Sequence, residues 1–384
     1  MSLKIAHITA SPNFGGVERI ILETARSHRQ FKGAEQVIAS FSERENAEPF
    51  LREVEKAGFT AYRFQNDTPR LLAGMFEMIR LLKKHQIQIL CAHGYKARIL
   101  GWFAAKYLRI PIIGISHGWT GESRSVRFYE RIDKWMHRRM DHIVCVSQGQ
   151  ADKVIRFGTP ASGVSVIYNA VRMDRFGEPS DIAFRHRLEA MFPNKPKLIV
   201  GAAGRLSVEK GFDVLISAVC RLSSAVSIRD IGVVIFGDGV LQESLQKQID
   251  DSGLSQSVVL AGFTDQLDQY MHHFDLFVQS SHTEGMPSVL LEAMAARTAV
   301  VATNVGGTGE LVVEAPANEG GTGLMVPPNN PEALAEAMQK VLSDDELRRT
   351  MGENGRRRVE QHFAIEPQAE KYWELFERLL RRGR

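Results

Sequence analysis

The chain has little cysteine, with three thiols in 384 residues. That excludes a fold stapled by disulfides. Cys91 and Cys145 lie in strand-like apolar segments and Cys220 in a helical one, so all three are expected to be buried thiols in a reducing compartment. No CxxC pair or His/Cys cluster has zinc spacing. No apolar run approaches the ~20 residues that span a bilayer. The start, Met1-Ser2-Leu3-Lys4-Ile5, enters a strand pattern without a signal-peptide hydrophobic region, and the expected location is the cytoplasm. Net charge is also small, at +3. Its distribution is uneven. Residues 1–175 carry +11 and the rest carry −8. The basic half predicts an anionic partner on that side, such as a phosphorylated acceptor, an anionic lipid surface or nucleic acid.

What the sequence has in quantity is alternation of short β-branched runs with amphipathic stretches, the mark of α/β architecture with parallel sheets. Strands are predicted at 4–9, 36–41, 60–64, 87–92, 111–116, 142–146 and 164–168. A second series follows at 197–203, 232–236, 257–260, 276–279, 299–302 and 323–326. Helical patterns fill most intervals, including 17–28, 69–85, 95–108, 126–140, 212–222, 240–251, 288–296, 331–342 and 345–362. A final helix spans about 367–380. The pattern breaks at 169–179, which predicts a linker between two doubly wound domains. In such sheets ligands bind beyond the C-terminal ends of the strands.

The most informative stretch is His282-Thr283-Glu284-Gly285-Met286-Pro287-Ser288-Val289-Leu290-Leu291-Glu292. Pro287 fits the first helical position, where its missing N–H costs little. The helix beyond it is apolar on nearly all sides and therefore interior. Glu292 within it must find hydrogen-bond donors or face a polar ligand. Glu284 precedes a helix start whose free N–H groups attract anions. Two carboxylates beside an anion-binding helix end suit a ligand with both hydroxyls and phosphates, such as a sugar nucleotide.

Other strand ends carry related chemistry. The first strand ends in Ser11-Pro12-Asn13-Phe14-Gly15-Gly16-Val17-Glu18-Arg19, where paired glycines allow a backbone to approach a ligand. The GxGxxG dinucleotide fingerprint is absent. The strand at 111–116 ends in His117-Gly118-Trp119-Thr120-Gly121, and a neutral imidazole there can bond a hydroxyl or phosphate. The strand at 197–203 runs into Gly204-Arg205-Leu206-Ser207-Val208-Glu209-Lys210-Gly211, whose two cations suit a diphosphate. Phe236-Gly237-Asp238-Gly239 is expected to be a tight turn. In the helix near 126–140, Arg127, Arg131, Lys134 and Arg138 form one stripe, opposite Val126, Tyr129, Ile132 and Met136. Such a helix either packs on its own sheet with the cations in water or lies on an anionic membrane.

Taken in order, these motifs resemble the retaining GT-B glycosyltransferases of family four, the E-x7-E type. They are Gly15-Gly16-Val17-Glu18-Arg19, His117-Gly118, Val166-Ile167-Tyr168-Asn169-Ala170-Val171, Gly204-Arg205-Leu206 with Glu209-Lys210-Gly211, Glu284 to Glu292, Asn304-Val305-Gly306-Gly307 and Gly323-Leu324-Met325-Val326-Pro327-Pro328. The resemblance covers nearly the whole chain. It implies two Rossmann-like domains facing each other across a cleft. The acceptor domain would be 1–175, joined by a C-terminal helix within 363–384, and the donor-nucleotide domain would be 176–362. It implies a UDP- or GDP-linked sugar as donor, with no cofactor and no metal, and a glycan or lipid-linked acceptor. Arg205 and Lys210 would neutralise the diphosphate. Glu284 would hold sugar hydroxyls and Glu292 the ribose. Gly204 and the backbone around Gly285, Met286, Pro287 and Ser288 would meet the donor. His117 would approach the donor sugar, and Gly15 and Gly16 would line the floor near the phosphates. The sequence departs from the family at Tyr168-Asn169-Ala170, where Pro-Asn-Gly is common.

The expected activity is therefore transfer of a hexosyl group with retention, in cell-envelope polysaccharide or lipopolysaccharide synthesis, at the inner face of the membrane and without nucleic acid. Two alternatives stand beside it. One is a sugar-nucleotide epimerase, hydrolase or phosphorylase on the same architecture, and the other a non-catalytic protein that binds anionic glycans.

Overall fold

A computed structural model describes residues 2–10, 15–41, 48–118, 124–177, 181–222 and 230–382. The chain divides into two compact units, Met1–Ala170 with Ile365–Arg384, and Val171–Ala364. Residues 171–175, placed by sequence in the first unit, group with the second, as does Phe176, whose side chain is buried.

In the first unit, seven parallel strands form one sheet. They are β1 (Lys4–Ala10), β2 (Glu35–Phe41), β3 (Thr60–Arg63), β4 (Ile89–His93), β5 (Ile112–Ser116), β6 (His142–Cys145) and β7 (Val164–Val166), in the order β3-β2-β1-β4-β5-β6-β7. The helices are α1 (Gly16–Lys32), α2 (Glu48–Lys56), α3 (Leu71–Lys84), α4 (Tyr95–Leu108), α5 (Arg124–His137) and α6 (Gln148–Arg156). The second unit holds α7 (Ala183–Ala190), β8 (Leu198–Ala203), α8 (Phe212–Val219), β9 (Ile231–Phe236), α9 (Gln242–Asp251), β10 (Val258–Gly262), α10 (Leu267–Met271) and β11 (Leu276–Gln279). It continues through α11 (Ser288–Ala295), β12 (Val300–Thr303), α12 (Thr308–Leu311), β13 (Gly323–Val326), α13 (Pro331–Leu342) and α14 (Asp345–His362). Its sheet order is β10-β9-β8-β11-β12-β13, also parallel. The last helix, α15 (Ile365–Arg382), returns to the first unit.

Central strands are buried on both faces, which is why they read as unbroken apolar runs. β9 and β4 are buried throughout. In the first unit the two sheet faces have separate cores. Even positions such as Ala6, Ile8, Leu90 and Ala92 meet α3 and α4, while odd positions such as Ile5, Cys91 and Ile113 meet Tyr372, Leu375, Phe376 and Leu379 of α15. Cys91 and Cys145 are buried as expected, but Cys220 is exposed. It caps the end of α8, beyond the turn whose side chains fill the core.

In α5 the residues 124–130 have no described side chains, so Val126, Arg127 and Tyr129 lie outside the described residues. Met136 is buried and Arg131 and Arg138 are exposed. Asp133, inside the buried face, forms a bidentate pair with Arg98 of α4, Nε to Oδ1 and Nη2 to Oδ2, both at 2.6 Å. This pair anchors α5 on its own unit. Among the described residues no helix is long and apolar enough to cross a membrane.

Candidate active site

In each open sheet the strand order reverses once, leaving a crevice at the carboxyl ends of the two strands that flank the reversal. In the second unit those strands are β8 and β11. The loop after β8 carries Gly204, Arg205 and Lys210, and the loop after β11 carries Glu284 and leads to Gly285, Met286, Pro287 and Ser288.

The two loops are stitched together. His282 N–H donates to the Glu209 carbonyl at 2.8 Å, and Ser280 Oγ to the Lys210 carbonyl at 3.1 Å. Gly211 sits at φ +59°, and a Cβ there would lie 2.2 Å from the Ser280 carbonyl oxygen, so only glycine allows this approach. Across it Lys210 Nζ donates to Glu284 Oε1 at 2.7 Å, and Ser281 Oγ donates to the same oxygen at 2.7 Å. The pair is largely shielded, with side-chain exposures of 23% for Lys210 and 10% for Glu284. Arg205 is exposed, and its guanidinium has no hydrogen bond or ion pair among the described residues. One cation is thus bound to a carboxylate and one is open to an anion.

A third loop, after β12, supports the second. Gly307 N–H donates to the Gly285 carbonyl at 2.9 Å, and Thr303 Oγ1 to the Ser281 carbonyl at 2.6 Å. Gly306, at φ +53°, lies so close that an added Cβ would be 1.8 Å from the Glu284 carbonyl oxygen. Helix α11 begins at Ser288, and Pro287 occupies its N-cap rather than the expected first helical position. A proline N-cap has no side-chain acceptor, so no side chain caps the helix start. The interior of α11 is buried as expected, and Glu292 with it at 8% exposure.

In the first unit the reversal lies between β1 and β4. Gly15 and Gly16 are exposed at the start of α1, and neither has a positive φ. The Gly15 N–H donates to Glu18 Oε2 at 3.0 Å, so Glu18 caps its own helix. Ser11 to Phe14 of this motif, and Trp119 to Gly121, lie outside the described residues. His117 follows β5. Its Nε2 lies 3.1 Å from His93 Nδ1, and His93 Nε2 lies 3.2 Å from His7 Nδ1. Burial, and then the nearby Arg98 charge, lower the His117 pKa to about 3. Burial, and then His28, lower that of His7 to about 3. His93 between them is also held well below the usual imidazole value, again chiefly by burial. All three rings are neutral near pH 7.

The structure therefore brings Arg205, Lys210, Glu284 and the 285–288 backbone to one crevice of the second unit, and His117 to the first. Ser281, His7, His93 and the Arg98–Asp133 pair were not foreseen. Ser281 lies three residues before Glu284, a local signal for a side-chain bond, but His7 and His93 look like ordinary strand residues.

Comparison with known proteins adds the family. Residues 187–358 match the family described as "Glycosyl transferases group 1", and residues 14–175 match "Glycosyltransferase Family 4". An uncharacterized glycosyltransferase of Methanocaldococcus jannaschii is 29% identical over 58% of this chain, and the match spans only 56% of that relative. The UDP-Gal:alpha-D-GlcNAc-diphosphoundecaprenol alpha-1,3-galactosyltransferase of Escherichia coli is 24% identical over 97% of this chain and 96% of its own length. Among solved structures, Anabaena Alr3699/HepE in complex with UDP-glucose superposes with a TM-score of 0.84 at 22% identity, covering 98% of this chain and 99% of that one. That likeness shows the GT-B fold.

Proposed function

Because the chain belongs to the group 1 and family four glycosyltransferases, we propose that it moves a hexosyl group from a nucleoside diphosphate sugar to a glycan or lipid-linked acceptor, with retention at the anomeric carbon. The observation that carries this reading is the pairing of Lys210 with Glu284 beside an open Arg205 at the reversal between β8 and β11. A diphosphate entering there meets Arg205 and competes with Glu284 for Lys210. Glu284, released from the lysine, turns its oxygens to sugar hydroxyls. Glu292 holds the ribose.

In the transfer step the bond between the anomeric carbon and the diphosphate oxygen breaks, and negative charge collects on the leaving phosphate. Arg205 and Lys210 face that charge, so their attraction grows as the bond opens, which is how a fixed cation lowers a barrier. The acceptor oxygen bonds to the same face of the sugar, and its proton passes to the departing phosphate oxygen. Neither a protein nucleophile nor a metal enters this scheme.

Several observations support the finer points. A UDP donor fits the UDP-glucose bound by the Anabaena protein, and a lipid-linked acceptor fits the diphosphoundecaprenol substrate named for the Escherichia coli relative. A role in envelope glycan synthesis fits a second relative, the lipopolysaccharide core biosynthesis mannosyltransferase LpcC of Rhizobium leguminosarum, 29% identical over 67% of this chain. The +11 charge of residues 1–175 suits an anionic acceptor or the surface that carries it.

A thermal-shift series of UDP-, GDP- and ADP-sugars tests the donor. A saturating ligand at 100 times its Kd adds about 2.7 kcal/mol to the folded state. The matching donor is then offered with polyprenyl-diphosphate glycans in EDTA, and the anomeric configuration of the product is read by NMR. No shift with any nucleotide sugar, an inverted product, or loss of transfer in EDTA each overturns the corresponding part.

A further inference from the structure

Helices α3, α4, α5 and α6 form one layer over one face of the first sheet. α3 packs against α4, and α4 against α5. At the next seam, Lys134 Nζ of α5 stands over the Phe157 ring, 4.1 Å from its centroid, and Arg138 Nη2 donates to the Phe157 carbonyl at 2.5 Å. Met140 touches both the core beneath α3 and α4 and the core beneath α6, which puts all four helices on the same side.

The inward sides of these helices fill the core. The outward sides carry large apolar side chains into water. Leu72 and Phe76 stand on α3, Phe103 and Tyr107 on α4, Trp135 on α5 and Phe157 at the end of α6, each between 44% and 74% exposed. Leu72 with Phe76, and Phe103 with Tyr107, are four residues apart, so each pair shares one side of its helix. With Leu71 and Ile155 they make up eight of the thirteen large apolar side chains exposed among the described residues. The opposite layer of α1, α2 and α15 shows only Phe31 among the described residues. Single exposed apolar residues are ordinary, but their concentration on one layer marks an interaction surface.

Positive charge collects on the same layer. Over 71–84, 95–109 and 131–157, nine lysines and arginines are exposed against two aspartates, Asp141 and Asp152. Asp141 is itself paired with Lys106 at 3.3 Å. The cations lie among the rings. The Arg139 guanidinium is 3.3 Å from the Trp135 ring centroid, and Arg131 and Arg138 share the Trp135 side of α5. Aromatic rings flanked by cations suit the boundary of an anionic bilayer, where rings sit at the acyl edge and cations meet phosphates. A second copy of the chain would need a self-complementary face, and here cations would meet cations. A nucleic acid would use the cations and stack on the rings, but would leave Leu72, 72% exposed, in water.

We propose that the outer face of α3, α4, α5 and α6 docks on an anionic lipid membrane, with Leu72, Phe76, Phe103, Tyr107 and Trp135 entering the interface. The layer covers a face of the sheet and not its carboxyl edge, so docking leaves the crevice of the first unit open along the membrane surface. The docking does not rest on the function proposed above. Its use, delivery of a lipid-linked acceptor to that crevice, does.

The test is sedimentation with vesicles of phosphatidylcholine alone, and of phosphatidylcholine with about one quarter phosphatidylglycerol. The wild type should bind the mixed vesicles, be released by high salt, and ignore the neutral ones; failure to bind the mixed vesicles overturns the proposal. The double variant Phe76→Ser, Trp135→Ser should melt as the wild type does and bind at least tenfold more weakly, while Phe31→Ser on the opposite layer should bind normally. Unchanged binding by the double variant reduces the face to a basic patch and refutes insertion. Brominated acyl chains should quench the fluorescence that is lost in Trp135→Phe, and no quenching refutes it as well. A wild-type dimer that the double variant dissociates would give the face to a second copy, and tighter binding to duplex DNA than to vesicles would give it to nucleic acid; either overturns the proposal.

Transfer is measured separately. The double variant should glycosylate a water-soluble acceptor at the wild-type rate and a vesicle-embedded one about tenfold more slowly. A wild type that binds the mixed vesicles but transfers to neither acceptor would refute the proposed function and leave the docking surface standing.

Discussion

Gly306 offers a sharp test of how the Glu284 loop is held. Its φ of +53° lies in the left-handed region, and a Cβ there would stand 1.8 Å from the Glu284 carbonyl oxygen and 2.7 Å from the carbonyl carbon. Real Cβ contacts do not fall below 3.0 Å, so Gly306→Ala must push the loop by about 1.2 Å or distort its own backbone. The obstacle is backbone on both sides, with no side chain to swing away. Placing an alanine in this conformation costs about 1–2 kcal/mol. The larger effect falls on chemistry. A displacement of about 1 Å at a positioned group costs about 100-fold in rate. The same shift breaks the 2.7 Å contacts of Glu284 with Lys210 and Ser281. Gly306→Ala should therefore lower kcat for transfer about 100-fold and lose most of the difference in affinity, by calorimetry, between the nucleotide sugar and its bare nucleotide.

Gly309→Ala is the control. Its Cβ would meet only Asn304 Oδ1, at 3.3 Å, the end of a movable side chain, within α12. It should transfer as the wild type does. If Gly306→Ala keeps its rate within about threefold of wild type, the loop is not held as the structure implies and the placement of Glu284 loses its support.

In the unliganded protein, Lys210→Met and Glu284→Gln should be non-additive in urea unfolding by about 1–2 kcal/mol, and additivity within about 0.3 kcal/mol would mean the pair is inert. Arg205→Ala should leave stability unchanged, since its guanidinium has no partner among the described residues, but lower the transfer rate at least tenfold. Asp133→Ala strands the Arg98 guanidinium, whose side chain is 5% exposed, and should destabilise the first unit by about 3–5 kcal/mol; a loss under about 1 kcal/mol in a urea titration refutes that. The folded-state pKa values of His7 and His117, lowered to about 3, give a pH dependence. Above about pH 6.5 these rings are neutral in both folded and unfolded chains and have no effect. Below it the unfolded chain gains their protons first, so stability falls by up to about 1.4 kcal/mol per pH unit for each ring down to about pH 3. Unfolding free energies that stay level from pH 6.5 to 5 would contradict it.

Much of this was legible in the sequence, and the reasons differ by element. The strands were readable because parallel sheets bury both faces, so runs such as Ile231–Phe236 have no polar interruption. Helices α3, α4, α13 and α14 were readable from their length and periodicity. α2, α6 and α7 were not drawn, since eight or nine residues rich in charge give too few apolar repeats to set a period. Pro287 was misplaced by one residue because sequence cannot tell N-cap from first turn. Cys220 was misjudged because it follows the last buried turn of α8. In the site, Arg205, Lys210 and Glu284 could be named from their positions at strand ends. That Lys210 and Glu284 grip each other could not be, since 74 residues separate them and only the β8–β11 pairing brings them together. The histidine row is hidden for the same reason. It exists in the register between strands, which no local pattern encodes.

The return of α15 to the first unit has a consequence for synthesis. Tyr372, Leu375, Phe376 and Leu379 cover Ile5, Cys91, Ile113 and Val144, so this part of the N-terminal sheet stays uncovered until α15 leaves the ribosome. The second unit is a single unbroken segment and is released with all its parts. The first unit therefore waits for a segment made after the second, and for nearly two hundred residues of elongation these apolar side chains stay exposed.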